Sequence, residues 1–154
     1  MKIVIAGASG FVGEALVTAL ERAGDEVYRL VRREPSGPRE ITWDPASGYL
    51  DSERLSGMDA VVCLSGEGIA IGRWSDSRKC RILTSRVDTV ELLVNAMGEC
   101  ASVPSVFVCA SAIGYYGSDC GDTEVDESNS CGSDFLAGVC GAWEGAAGDL
   151  SDTG

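Results

Sequence analysis

The chain has 154 residues, 24 of them acidic and 12 basic, with no histidine and a net charge of −12. All twelve basic residues lie at or before Arg86, where twelve acids balance them, so the last 68 residues carry the whole negative charge without one cation. Such a half cannot neutralise a run of phosphates, which argues against nucleic-acid binding and against docking on an anionic membrane. It also excludes any mechanism that needs a lysine after position 86, or a histidine anywhere.

A chain of this length can bury roughly 70% of its unfolded surface, and 45% hydrophobic residues can supply the core. The seven cysteines (63, 80, 100, 109, 120, 131 and 140) form no C-x-x-C pair and have no histidine to complete a zinc set. An odd number of thiols, several in apolar runs such as Val61-Val62-Cys63-Leu64, reads as reduced and mostly buried in a cytoplasmic protein. Met1–Val12 has a lysine before an apolar run, but glycines interrupt the run, Glu14 ends it, and no cleavage site follows. No stretch approaches the ~20 apolar residues of a spanning helix.

Short apolar runs alternate with segments of 3.6-residue period. Lys2–Ala6 is a β-branched strand, followed by a glycine turn and a helix over Phe11–Ala23, with Leu16, Ala19, Leu20 and Ala23 at helical spacing and Gly24 as its stop. Glu26–Val31 is a second strand. Residues 34–58 hold three of the four prolines, with a short hairpin around Ile41–Trp43 and Tyr49–Leu50. Asp59–Leu64 is a third strand, and Ser75–Glu99 the longest helix, with Ile82, Leu83, Val90, Leu93, Val94 and Met97 on one face. Val106–Ala110 is a fourth strand, 114–133 a polar loop, and Asp134–Leu150 a last helix weakened by Gly138, Gly141, Gly145 and Gly148.

This alternation predicts an α/β fold: a Rossmann-type, doubly wound parallel sheet of order 3-2-1-4. The tail Ser151-Asp152-Thr153-Gly154 reads as a turn where a further strand should begin. The expectation is therefore one dinucleotide-binding domain over residues 1–154, truncated before its later strands and lacking the substrate-binding part.

The strongest local signal is Gly7-Ala8-Ser9-Gly10-Phe11-Val12-Gly13, a G-x-x-G-x-x-G loop between a strand and a helix. Gly7 permits the tight turn, Gly10 lets backbone approach a pyrophosphate, and Gly13 allows close helix–strand packing, with the phosphates at the helix N-terminus. Glycines in a turn can also be purely structural, but the strand–turn–helix context favours dinucleotide binding. An NAD site usually places an acid about 20 residues further on, to accept from the ribose 2′-hydroxyl. Here the second strand ends Leu30-Val31-Arg32-Arg33, and two guanidiniums suit a 2′-phosphate. The expected cofactor is NADP(H), held by Arg32 and Arg33; the alternative is a solvated pair of arginines after a strand.

Gly7–Gly13, Leu30-Val31-Arg32-Arg33, Trp43-Asp44-Pro45, Leu64-Ser65-Gly66-Glu67, Arg73-Trp74-Ser75, Ser85-Arg86-Val87, Ser111–Gly117, Asp134-Phe135-Leu136-Ala137 and Trp143-Glu144 carry a resemblance over Met1 to about Gly148. Together they resemble the atypical extended short-chain dehydrogenase/reductases, the NAD-dependent epimerase/dehydratase-like or "epimerase family" proteins, whose members are about twice this length. The resemblance implies cofactor contacts from Ser9, Phe11 and Val12 in the loop, from Cys63, Leu64, Ser65 and Gly66 after the third strand, and from Arg86 on the long helix. The bland alternatives are a buried strand thiol for Cys63 and a surface charge for Arg86.

The superfamily's usual catalytic set is a serine with Tyr-x-x-x-Lys, in which the lysine lowers the tyrosine pKa for proton exchange during hydride transfer. This chain cannot contain it: the corresponding positions fall near Leu136 and Cys140, and the family carries a similar departure. Ser111 and Tyr116 remain as catalytic candidates, because they follow the fourth strand at the carboxyl edge of the sheet. The alternative for both is packing over the cofactor. Glu67 reads as a solvated loop carboxylate and Trp143 as packing its helix onto the sheet. The leading expectation is an NADP(H)-binding oxidoreductase or epimerase-like protein acting on a carbonyl or sugar-like small molecule, with no metal. The runner-up is a non-catalytic NADPH-binding redox-sensing module. A methyltransferase-like domain is disfavoured by Arg32-Arg33, where an adenosyl ribose would want an acid. The pattern specifies no oligomeric state.

Overall fold

The computed structural model describes residues 1–70, 72–118 and 120–148. Six strands form one sheet: β1 (Lys2–Ala6), β2 (Glu26–Val31), β3 (Glu40–Asp44), β4 (Tyr49–Leu50), β5 (Ala60–Cys63) and β6 (Val106–Cys109). Three α-helices accompany them: α1 (Phe11–Ala23), α2 (Asp76–Gly98) and α3 (Phe135–Gly148). The spatial order is β4-β3-β2-β1-β5-β6, parallel throughout except where β4 returns antiparallel on β3.

The doubly wound parallel architecture and the order 3-2-1-4 are present as β3-β2-β1-β5, but the third place belongs to Glu40–Asp44. Asp59–Leu64, expected as the third strand, is the fifth along the chain and lies on the other side of β1. The hairpin at Ile41–Trp43 is half of the reason, since its first strand also pairs in parallel with β2, setting Leu30 against Ile41. Short length and prolines before and after it hid a sheet strand that reaches β2 without an intervening helix.

The two faces of the sheet bury different sets of side chains, as the alternation of strand residues requires. Ile3, Ile5, Val27, Ala60 and Val62 face α1, which contributes Val17 with Leu16 and Leu20. Val4, Ala6, Leu30, Ile41, Val61 and Cys63 face the other way, against Val90, Leu93 and Met97 of α2 and Trp143 of α3. The face of α1 is thus Gly13, Leu16, Val17 and Leu20, whereas the predicted members Ala19 and Ala23 are exposed. Gly13 sets that phase, because its contact with the turn below leaves no room to rotate the helix.

The long helix follows its predicted stripe, except that Leu83 is half-buried and Thr89 and Ala96 are buried instead. Ser75 caps its N-terminus by accepting from the Arg78 amide. α3 forms despite its glycines, with the Asp134 carboxylate accepting from the Ala137 amide. Its predicted end at Leu150 and the tail Ser151–Gly154 lie outside the described residues. Of the seven cysteines, all free, only Cys63 and Cys140 are buried, while Cys80 and Cys131 are exposed, so the thiols are less buried than the apolar runs suggested. Among the described residues no helix is long and apolar enough to cross a membrane.

Leu93 has no exposed surface and joins α2 to the larger core. Leu93→Ala should lower the unfolding free energy by about 2–5 kcal/mol, read as a shift of the urea midpoint at unchanged slope. A loss below about 1 kcal/mol would mean that this cluster does not hold the helix to the sheet.

Candidate functional site

Four parallel strands, β2, β1, β5 and β6, end at one edge, so the residues after each of them are brought together. The chain reverses direction of winding across β1, the place where an open α/β sheet opens a crevice for ligands.

The glycine turn is built by contact of backbone with backbone. Gly7 has φ +84°, and a Cβ on it would stand 2.8 Å from the Leu64 carbonyl carbon and 2.9 Å from the Ser65 nitrogen. A Cβ on Gly13 would stand 2.9 Å from the backbone of Ala8 and would collide with the Gly7 carbonyl oxygen. Gly10 donates to the Gly7 carbonyl at 3.1 Å and caps α1 without any side-chain hydrogen bond. The first-turn amides of α1, at Phe11 and Val12, therefore have no side chain spent on them, and both residues are exposed. That arrangement fits a pyrophosphate at the positive end of the helix.

Beside the turn, a cleft of about 440 Å³ runs between α1 and β2, with Ser9, Val31, Arg33 and Glu40 among its lining. Arg32 is exposed. Arg33 is committed elsewhere: its Nη1 and Nη2 donate to the two oxygens of Glu40 at 2.8 and 2.7 Å. Glu40 also accepts from the Ser36 amide and hydroxyl, each at 2.7 Å. The Arg33 guanidinium and then the Ser36 donors hold the Glu40 carboxyl down at about 2, from its ordinary 4.5. Sequence reasoning missed Glu40, because six residues separate it from Arg33 and only the parallel register of β3 returns it.

Cys63 ends β5 with no exposed surface, its thiol within the core. Its thiol pairs in register with Cys109 of β6, whose own thiol is pushed up by the hydrogen bond with Cys63 and by burial. Leu64 and Ser65 follow against the Gly7 turn, and Gly66 lies against Arg86. Arg86 is half-buried: Nη2 donates to the Glu67 carbonyl at 3.1 Å, Nη1 to the Ile82 carbonyl at 2.9 Å, and the guanidinium lies over the Trp143 ring at 5.2 Å. A Cβ on Gly66 would come within 3.1 Å of it, so Arg86 braces the segment after β5 from beneath. Glu67 is not a free loop carboxylate; it pairs with Arg78 at 3.1 Å and Arg81 at 3.5 Å.

After β6, Ser111, Tyr115, Tyr116, Glu127 and Glu144 line a second cleft of about 450 Å³. The Ser111 hydroxyl donates to the Glu144 carboxylate of α3, a partner that sequence spacing could not supply across 33 residues. Burial pushes the Tyr116 phenol up, and Glu127, Asp126 and Glu144 add to it, the reverse of what a neighbouring lysine would do. Gly114 packs under Leu136 and Cys140, which stand where a Tyr-x-x-x-Lys pair is expected. Among the described residues no cluster of three acids, cysteines or histidines could hold a metal.

A mixed α/β sheet with a glycine turn at its switch point defines a dinucleotide-binding fold of the short-chain dehydrogenase/reductase type. The model of the NAD dependent epimerase/dehydratase family matches residues 3–134, and the chain belongs to that family. The epimerase family protein ML0860 of Mycobacterium leprae is 43% identical over 144 residues, covering 94% of this chain and 46% of that protein. The solved nucleoside-diphosphate sugar epimerase of Corynebacterium glutamicum is 38% identical with a TM-score of 0.83, over 99% of this chain and 31% of that one. The human epimerase family protein SDR39U1, solved with NADPH, is 34% identical with a TM-score of 0.81, over 96% of this chain and 48% of that one. The chain thus spans about half the length of the curated relatives it matches.

Two outcomes follow from this geometry. Gly13→Ala should cost at least ~1–3 kcal/mol of stability, because backbone rather than a flexible side chain occupies the space; an unchanged denaturation midpoint would contradict the close approach. The Glu40 carboxyl titrates lower in the folded protein than in the unfolded chain, so its stabilisation is complete above pH 4.5 and is lost as pH falls towards 2. The melting-temperature gap between the wild type and Glu40→Gln should accordingly be widest above about pH 5 and close on acidification. A gap that stays constant would contradict the pairing.

Proposed function

We propose that this chain is the dinucleotide-binding half of an NADP(H)-dependent oxidoreductase or epimerase-like protein acting on a carbonyl or sugar-like small molecule. One observation carries the choice of cofactor: the end of β2, Leu30–Arg33, holds two arginines and no acid, with Leu30, Val31 and Arg33 lining one cleft with Ser9 of the glycine turn and Arg32 exposed. The human relative solved with NADPH supports the same choice, and the name of the Corynebacterium protein supports a sugar-like substrate. The residues fit the cofactor: Gly7, Gly10 and Gly13 admit the phosphates to the amides of Phe11 and Val12, Ser9 and Arg32 take the 2′-phosphate side, and the backbone of Cys63–Gly66 forms the wall opposite. A bound nicotinamide dinucleotide supplies the hydride donor or acceptor.

Ser111 and Tyr116 are the candidates for meeting the reacting end, since both line the cleft after β6. Ser111 donates its hydroxyl proton to Glu144, while burial and the carboxylates of Glu127, Asp126 and Glu144 push the Tyr116 phenol up. That same feature favours the second reading, a non-catalytic NADPH-binding redox sensor, since no cation poises Tyr116 for proton exchange. Single-turnover oxidation of bound NADPH by a panel of aldehydes, ketones and nucleotide sugars separates the two.

The cofactor assignment is tested by fluorescence titration. The double variant R32A/R33A should weaken NADPH at least ~10-fold while changing NADH by no more than ~2-fold, the loss expected for charged hydrogen bonds to a phosphate. Equal losses for the two dinucleotides, or none, would refute it.

A further inference from the structure

The cleft beside the glycine turn is peculiar in its charge. Three carboxylates, Glu14, Glu21 and Glu40, and two guanidiniums, Arg29 and Arg33, line it. Both guanidiniums are already matched, Arg29 to Glu21 at 2.9 Å and Arg33 to Glu40 through two hydrogen bonds. A dianionic 2′-phosphate entering here meets two neutral pairs and one surplus carboxylate, Glu14. Arg32, between the lining residues Val31 and Arg33 in sequence, is exposed and carries no such partner among the described residues.

Resting on the NADP(H) reading, we propose that Glu40 is the specificity-determining residue of this site: by neutralising Arg33 it attenuates selection for the 2′-phosphate and leaves that selection to Arg32. The physical reason is Coulombic. A carboxylate held against the guanidinium cancels most of its field at the distance of a bound phosphate and repels the phosphate directly. The clamp is also hard to displace: an incoming phosphate would have to break both Arg33–Glu40 hydrogen bonds, and the two from Ser36 hold the Glu40 carboxylate in place against it. Glu40 thus does two things at once. It ties the segment after β2 to the start of β3, and it sets the charge that the adenosine end of the cofactor encounters.

The test uses the whole chain and four probes: NADPH, NADH, adenosine 2′,5′-bisphosphate and AMP. Glu40→Gln removes the charge but keeps a carbonyl acceptor. It should tighten NADPH and the bisphosphate about 5-fold, with NADH and AMP within ~2-fold of wild type, and the gain should shrink in high salt. Glu40→Asp, which retains the charge, should keep the wild-type ratio. Should Glu40→Gln fail to fold, the double variant R33A/E40A decides: with both charges gone it should retain the wild-type preference within ~3-fold, because Arg32 carries it. Weaker NADPH binding in Glu40→Gln would mean that Glu40 orients Arg33 onto the phosphate, and would overturn the proposal. So would an unchanged NADPH-to-NADH ratio, or a ~10-fold loss of preference in R33A/E40A. Equal losses of NADPH and NADH in R32A/R33A would instead overturn the underlying cofactor reading, whatever Glu40→Gln does.

Discussion

The site depends on a backbone contact that tolerates no side chain. Gly7 lies against the Leu64–Ser65 backbone on one side and Gly13 lies against Gly7–Ala8 on the other, so three segments meet without a Cβ between them. This approach fixes the rotation of α1 on the sheet, holds its first-turn amides at the carboxyl edge of β1, and brings the end of β5 alongside. The smaller core packs outward from it through Leu16, Val17 and Leu20. Gly66 and Arg86 extend the same device, with the guanidinium held under a glycine and over Trp143, and so lock the segment after β5 to both α2 and α3.

Charge is organised around that contact rather than spread over the surface. Four of the twelve basic side chains are engaged in ion pairs: Arg29 with Glu21, Arg33 with Glu40, Arg78 and Arg81 with Glu67. These pairs are mostly exposed and contribute little to stability individually. They matter because they decide which positive charge a phosphate can still find. The second half supplies only carboxylates to the cleft after β6, where Glu127 and Glu144 face Tyr116. Among the described residues no cation lines that cleft to lower the Tyr116 phenol, and burial and the carboxylates push it up.

Much of this was legible in the chain. The glycine spacing, the apolar run of β1 and the bounds of the helix Phe11–Ala23 act over short distances, and the structure places them as read, though Ala19 and Ala23 lie outside the buried face. Strand order was harder, since Glu40–Asp44 is short, flanked by prolines, and recruited to the sheet by pairing with β2 rather than by its own pattern. The partners of the site residues were not legible at all. Glu40 reaches Arg33 through strand register, Glu144 reaches Ser111 through the docking of α3, and Glu67 gathers Arg78 and Arg81 because a loop folds back on a helix. Periodicity reports which face of an element is buried; it does not report which side chains from distant elements meet there.

The central claim is that the Gly7–Gly13 turn and Arg32 hold a phosphorylated dinucleotide. A crystal structure of the chain with NADPH tests it most directly. The pyrophosphate should lie on the amides of Phe11 and Val12, with the 2′-phosphate at the Arg32 guanidinium and the Arg33–Glu40 pair still closed. A dinucleotide bound elsewhere, or a 2′-phosphate pointing into solvent away from Arg32, would contradict the account.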